Sequence, residues 1–419
     1  MRKKSVLTFP QYEQREYSLT KFKDKTATAE NICVLDDSLE TWAYYQDTGI
    51  YRPDNAYIQK IIVIDGKIYA YCDDSGLYRR NSTSWEKIFN CLKEPAIEKT
   101  QIDGKDYLVF AIADTCRLMN SAGVVSQSNI PYGKVLKNYK GMLFIANGNQ
   151  LKFSALLDKD NFNMSEYAGG MLETNVNDGN IIELVPEQDA LVIFCQKAIY
   201  RLTAVGERQD YKLIREDFQI NVLQGTIKKF GDGIYFSNGD SLFKYTKGNI
   251  SQAKTSQGLS KYSFLSGVGV VDNAIYFCIR EKNKNSQKIL VLDAEGKRQT
   301  ILPLYMPLLS DDGYFFEINQ IKKVVVDGGV RRAFKWESKV LDLGTSLKKS
   351  LLRVSVDTTE PIKVSVIGNY STKILEFNAG QSQQKINLPG YAYKIMVSGL
   401  GSNVSVNSIK LIYRVKEEI

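Results

Sequence analysis

Apolar and polar positions along the chain repeat one short pattern seven times: an apolar strand, a tight turn carrying Gly, Asn or Asp, then a strand rich in Tyr, Phe, Ile and Leu. The copies are VIDGKIYAY around Gly66, QIDGKDYLVF around Gly104, NYKGMLFIA around Gly141, EQDALVIF around Asp189, FGDGIYFS around Gly233, VVDNAIYF around Asn273 and SDDGYFFEI around Gly313. Neighbouring turns lie 37 to 48 residues apart. Asp-Gly and related pairs supply the positive φ that two-residue hairpin turns need. A third apolar segment follows each copy, as in GLYRR from Gly76 and AIYRL from Ala198. A fourth follows most of them, as in WEKIF from Trp85 and DYKLIRE from Asp210. Several strands per unit at a period of about 40 to 50 residues predict β-propeller blades.

The expected fold is therefore all-β. Seven blades are expected, or six if the segment around Gly313 only closes the first blade. The propeller is expected over 55–343. The stretch 1–54 falls outside the repeat and is expected to add one strand that closes the ring. After Gly344 the text changes to six alternating strands, from LLRVSVDT to VSVNSIKLIYRV, which predict a small antiparallel sandwich over 344–419. Phe334 to Val340 is read as the join between the two.

Composition narrows the chemistry more than the fold. The 419 residues are 43% hydrophobic and 24% charged, ordinary values for a globular chain. The longest apolar runs, such as Ala190 to Cys195, are too short to cross a bilayer as a helix. Met1-Arg2-Lys3-Lys4 opens like a signal peptide, but Thr8 and Pro10 break the stretch that follows, so no targeting segment is read. Neighbouring proteins are expected to hold Met1 and Ile419. The net charge of +8 is mild, and its basic residues are spread in pairs such as Lys228-Lys229 and Lys348-Lys349. Such pairs read as solvated strand edges rather than as one face built for nucleic acid.

The sequence has no histidine. That removes the commonest general base, the commonest metal ligand and every Ser/His or Cys/His nucleophile. Six cysteines, Cys33, Cys72, Cys91, Cys116, Cys195 and Cys278, form no CxxC pair and sit mostly in strand patterns, as buried thiols do. The glycines belong to hairpins, not to phosphate-cradling strand-to-helix turns. Carboxylate pairs of the glycosidase kind survive this filter, but the sequence nominates none. No catalytic, cofactor-binding or metal-binding residue is proposed, and no cofactor.

Four segments, in order, resemble the β-propeller structural proteins of tailed bacteriophages, the tail hub, nozzle and stabilisation type. The first is Ala29-Glu30-Asn31-Ile32 with Asp36 to Leu39, here without the Arg-Pro-Gly that follows it in the family. The second is Gly148 to Ser154 with Asp158 to Phe162, similar to a "GNRLYFS, D-P-x-N-F" strand and loop. The third is Ala190 to Phe194 with Ala198 to Leu202. The fourth is Trp336-Glu337-Ser338-Lys339 with Asp342-Leu343-Gly344. The resemblance implies a virion tail component, made in the host cytoplasm, without catalytic residues. It further implies a homo-oligomeric ring of six or a related symmetric number. The implied partners are portal, adaptor, distal tail or fibre proteins, with DNA passing in a channel and no membrane span. The C-terminal sandwich is the expected site of contacts between subunits or with the next protein. Two other classes stay open at this stage. One is a carbohydrate-binding or glycan-cleaving propeller of a phage or cell surface. The other is a cellular interaction propeller, though the Gly-His and Trp-Asp marks of the WD40 type are absent.

Overall fold

The computed structural model describes residues 12–416 except 20, 36, 55, 103, 113–114, 165–168, 204–209, 254–258, 297, 305–307, 311, 327–331 and 402. Met1, the stretch from Arg2 to Pro10, and Ile419 lie outside the described residues. Strands dominate, and seven of the nine sheets are four-stranded antiparallel meanders. The first blade comprises Ile58–Ile64, Lys67–Cys72, Gly76–Arg80 and Trp85–Asn90. The next five cover 96–128, 135–173, 181–215, 228–252 and 262–303. The seventh takes Leu308–Leu309, Tyr314–Glu317 and Gln320–Val325 from late in the chain and Tyr44–Tyr51 from early in it. The chain is a seven-bladed β-propeller followed by a β-sandwich.

The second strand of each blade shows why the repeat reads as continuous apolar runs. In Lys105–Ile112, Phe110 and Ile112 pack with the first blade, while Val109 and Ala111 pack with the third. In Leu191–Cys195, Leu191 and Ile193 face the third blade and Val192 and Phe194 the fifth. A strand buried on both faces has no polar alternation. Seven such clusters each span two adjacent blades, and the last joins Phe316 and Ile321 to Ile58, Ile61 and Ile68, so the ring is closed.

The sandwich is larger than its sequence signature. One sheet pairs Thr26–Glu30, Arg332–Ser338, Lys394–Gly401, Ile362–Ile367 and Thr372–Phe377. The other pairs Cys33–Val34, Leu39–Glu40, Ser405–Lys416, Lys349–Thr358 and Gly380–Gly390, with Tyr12–Leu19 along Ser405–Lys416. Two boundaries from the residue pattern therefore move. Arg332–Ser338 is a sandwich strand, not the exit of a propeller ending at 343. The stretch 1–54 does add one strand to the ring, Tyr44–Tyr51, but among the described residues its four earlier strands belong to the sandwich, which is therefore not confined to 344–419. The pattern hides this because the sandwich core is assembled from both ends of the chain, with Trp336, Val364, Ile395 and Leu411 packed on Leu19, Phe22 and Ile32.

One turn assignment also changes. Gly66, Gly104, Gly141 and Gly313 have positive φ, but Gly233 does not, and Gly231 at φ 59° carries that turn instead. Gly233 is needed for space: a Cβ there would lie 2.6 Å from the Lys244 side chain and 2.9 Å from the Tyr245 carbonyl.

Candidate interaction surface

Among the described residues, no group of three or more Cys, Asp or Glu is placed to hold a metal. The six cysteines are buried and unbonded. Burial pushes the thiols of Cys33, Cys72, Cys116 and Cys278 up to about 12, and those of Cys91 and Cys195 up to about 11. Thiols held so far from ionisation are poor nucleophiles.

The most enclosed carboxylate is Asp178, in the fourth blade's entry turn. Arg215 grips it in bidentate fashion, Nε to Oδ2 at 2.7 Å and Nη2 to Oδ1 at 2.9 Å. Tyr200 donates its hydroxyl to Oδ2 at 2.5 Å and accepts from the Asn175 amide at 3.0 Å. The Arg215 guanidinium holds the Asp178 carboxyl below the usual carboxylate range. Every carboxyl with a resolved shift among the described residues is lowered in the same sense. Asp178 pins a turn.

First strands of neighbouring blades approach one another around the axis. Their charges meet in pairs of opposite sign. Glu98 accepts from Lys137 at 3.3 Å and from the Asn138 amide at 3.2 Å. Lys60 pairs with Glu94, and Lys99 with Asp65 at 2.6 Å.

What the molecule does present is apolar side chains in water. In the third blade, Gln150–Phe153 is followed by a long connection before Gly170–Glu173. Its first part, 155–161, is tied down by backbone bonds from the Leu157 amide to the Gly141 carbonyl at 3.0 Å and from the Ala155 amide to the Asn161 carbonyl at 2.8 Å. This connection holds Leu156 and Leu157 out with 64% and 78% of their surface exposed, and Met164 is exposed further along it. Leu157 itself adopts φ 61°, a conformation that leucine rarely takes. On the opposite face, where blades seven and one close the ring, Tyr51, Tyr57, Leu92 and Ile318 are exposed as well. Arg52 stacks over the Tyr57 ring at 3.8 Å, and Trp85 donates its indole N–H to the Tyr51 carbonyl at 2.8 Å. Tyr, Trp and Arg are the residue types that anchor protein interfaces.

The sequence nominated no site residue, and these surfaces were missed. The pair Leu156-Leu157, outside any strand pattern and directly before Asp158, was the available signal. The four family-like segments lie elsewhere in role: Trp336, Ile193 and Phe153 are core residues, and Asn31 turns between two strands. They specify a fold and leave the contacts open.

No protein-family model and no curated sequence matches the chain. Among solved structures it is similar to the extracellular domain of a one-component system from Bacteroides thetaiotaomicron. That match has 11% identity and a TM-score of 0.48, over 74% of this chain and 42% of that one. PorZ, a surface component of the type-IX secretion system of Porphyromonas gingivalis, aligns at 11% identity and TM-score 0.42, over 78% of this chain and 46% of that one. The designed protein Ika8 aligns at 9% identity and TM-score 0.39, over 66% and 98%. The chain thus spans less than half the length of the first two. The fold assignment rests on the strand pairing itself.

Proposed function

We propose that this chain is a structural component of a bacteriophage tail, at the hub, nozzle or tail-tip ring, and that it works in virion assembly through protein–protein contacts. It acts as one of several copies in a ring, six or a related symmetric number, against portal, adaptor, distal tail or fibre proteins. It is not an enzyme. The four family-like segments motivate the reading. The observation that carries it is the exposure of Leu156 and Leu157 on a hydrogen-bonded loop of a closed propeller. Apolar surface held rigidly in water is what an assembly contact uses, because little ordering entropy remains to be lost on docking.

The test is the double variant Leu156→Glu/Leu157→Glu in the full chain. Both side chains are already solvated, so the melting transition should shift by no more than about 0.5 kcal/mol in stability terms. Ring formation, read by sedimentation and electron microscopy, and incorporation into phage particles should both be lost. Normal incorporation of the folded variant, or a parent chain that stays a free monomer in its native setting, would sink the proposal.

A further inference from the structure

Two strand edges face each other where the sandwich meets the sixth blade. Gln299–Pro303 is the outermost strand of that blade and is paired on its inner side only with Gln287–Asp293. Thr26–Glu30 is the edge of a sandwich sheet and is paired with Arg332–Ser338. The edges do not form a ladder. One direct backbone bond crosses between them, from the Asn31 amide to the Ile301 carbonyl at 2.8 Å. Beside it lies a cavity of about 20 Å³, whose wall includes Thr28, Lys261, Tyr262, Gln299 and Thr300.

Thr300 is 1% exposed, and its hydroxyl oxygen has no hydrogen-bond partner among the described residues. A hydroxyl left unpaired in the interior costs about 1–3 kcal/mol. One water relieves that cost when it finds a volume of roughly 10–15 Å³ and two to four polar partners. The cavity meets the volume, and Thr28, Lys261 and Gln299 line it together with Thr300. A small anion is the other occupant to weigh. Lys261 favours one, while Glu30 is paired with Lys288 and Glu337 with Lys335 and Lys394. The anomalous signal of bromide separates the two occupants.

We propose that this cavity is a binding site for a single water molecule, held by the Thr300 hydroxyl and bridging the edge of the sixth blade to the edge of the sandwich. The two edges then act as one interrupted ladder, direct at Asn31 and water-mediated at Thr300. A high-resolution structure of the full chain, from crystals soaked in bromide, tests it. The expected result is a solvent peak without anomalous signal within hydrogen-bond distance of Thr300 Oγ1. A dry cavity overturns the proposal, and so does an anomalous bromide peak. Thr300→Val keeps the side-chain shape, so the fold should persist and the peak should vanish. The same peak surviving in that variant would show that Thr300 does not hold the water.

Discussion

The indole N–H of Trp336 donates to the hydroxyl oxygen of Thr26 at 2.8 Å, joining positions 310 residues apart. The same hydroxyl donates to the Phe22 carbonyl at 2.6 Å, and the Phe22 ring stands edge-on to Trp336 at 5.5 Å between centroids. The pairing shifts register between Thr26 and Thr28, beside this bond, and beyond the shift Ala29 stands opposite Trp336 and Glu30 opposite Lys335. The first and last of the four family-like segments are therefore cross-strand neighbours, and the pair joins the early sandwich strand Thr26–Glu30 to the late one, Arg332–Ser338.

Thr26→Val should destabilise the protein by about 1–3 kcal/mol, because it leaves a buried indole N–H and the Phe22 carbonyl without partners while keeping the side-chain shape. Urea unfolding followed by tryptophan fluorescence measures it. An unchanged midpoint would mean that the bond contributes nothing net.

Removing residues 345–419 should not leave a clean propeller. The ring keeps its closing strand Tyr44–Tyr51, but Tyr12–Leu19 and Arg332–Ser338 lose their partners Ser405–Lys416 and Lys394–Gly401. Trp336 and Phe334 lose the core they are buried in. The truncated chain should aggregate or bind an apolar dye. Removing 1–40 together with 332–419 should give the soluble propeller instead. A monodisperse, dye-negative 1–344 fragment would contradict this account of the sandwich.

Gly141 separates two ways in which a glycine can be required. Its φ is 79°, and a Cβ would lie 3.2 Å from both Leu156 and Leu157. Gly141→Val should cost about 1–3 kcal/mol through backbone strain, and it should also disturb the exposed leucine loop. The loop disturbance would appear as faster proteolysis between 154 and 169. Gly141→Val that keeps both parental stability and a protected loop would refute the turn geometry.

The repeat was legible because each hairpin carries local turn chemistry and each second strand is apolar on both faces, as in MLFIA and LVIF. The fourth strand of the third blade, Gly170–Glu173, left no mark because a long connection separates it from its partner. The early sandwich strands were illegible for a different reason. Thr26–Glu30 alternates only Thr with Ala and has no strong apolar face of its own, and its place is decided by Trp336 far along the chain. The candidate surface was hidden because an exposed leucine and a buried one are the same letter.

Acid should weaken the sandwich early. Glu337 lies between Lys335 at 2.6 Å and Lys394, and although burial opposes its charge, the two ammonium groups outweigh it and hold the carboxyl at about 2. A carboxyl lowered on folding stabilises above its unfolded value near 4.5, and that contribution is lost as pH falls toward 2. Stability should decline over that window in the parent chain and less steeply in Glu337→Gln. Equal slopes would show that Glu337 is not the group responsible.

Lys349 makes the sharpest case for a buried charge serving structure alone. It is 1% exposed, and its ammonium donates to three backbone carbonyls, Thr345 at 2.6 Å, Leu347 at 2.9 Å and Tyr391 at 2.6 Å. Thr345 and Leu347 lie in the connection between the sandwich strands Arg332–Ser338 and Lys349–Thr358, and Tyr391 lies in the turn before Lys394–Gly401. Burial lowers its pKa from the ordinary lysine value, and Asp342 offsets that only in part. The three carbonyls do that work by using all three of its donors. Lys349→Met keeps the length and the apolar stem but leaves three carbonyls unpaired, so it should cost about 2–4 kcal/mol. Lys349→Arg should not rescue, because a planar guanidinium cannot place three donors on that converging set. Thermal unfolding of the three proteins decides the matter. If Lys349→Met is as stable as the parent, the carbonyls find water without loss and the ammonium is not what orders the connection.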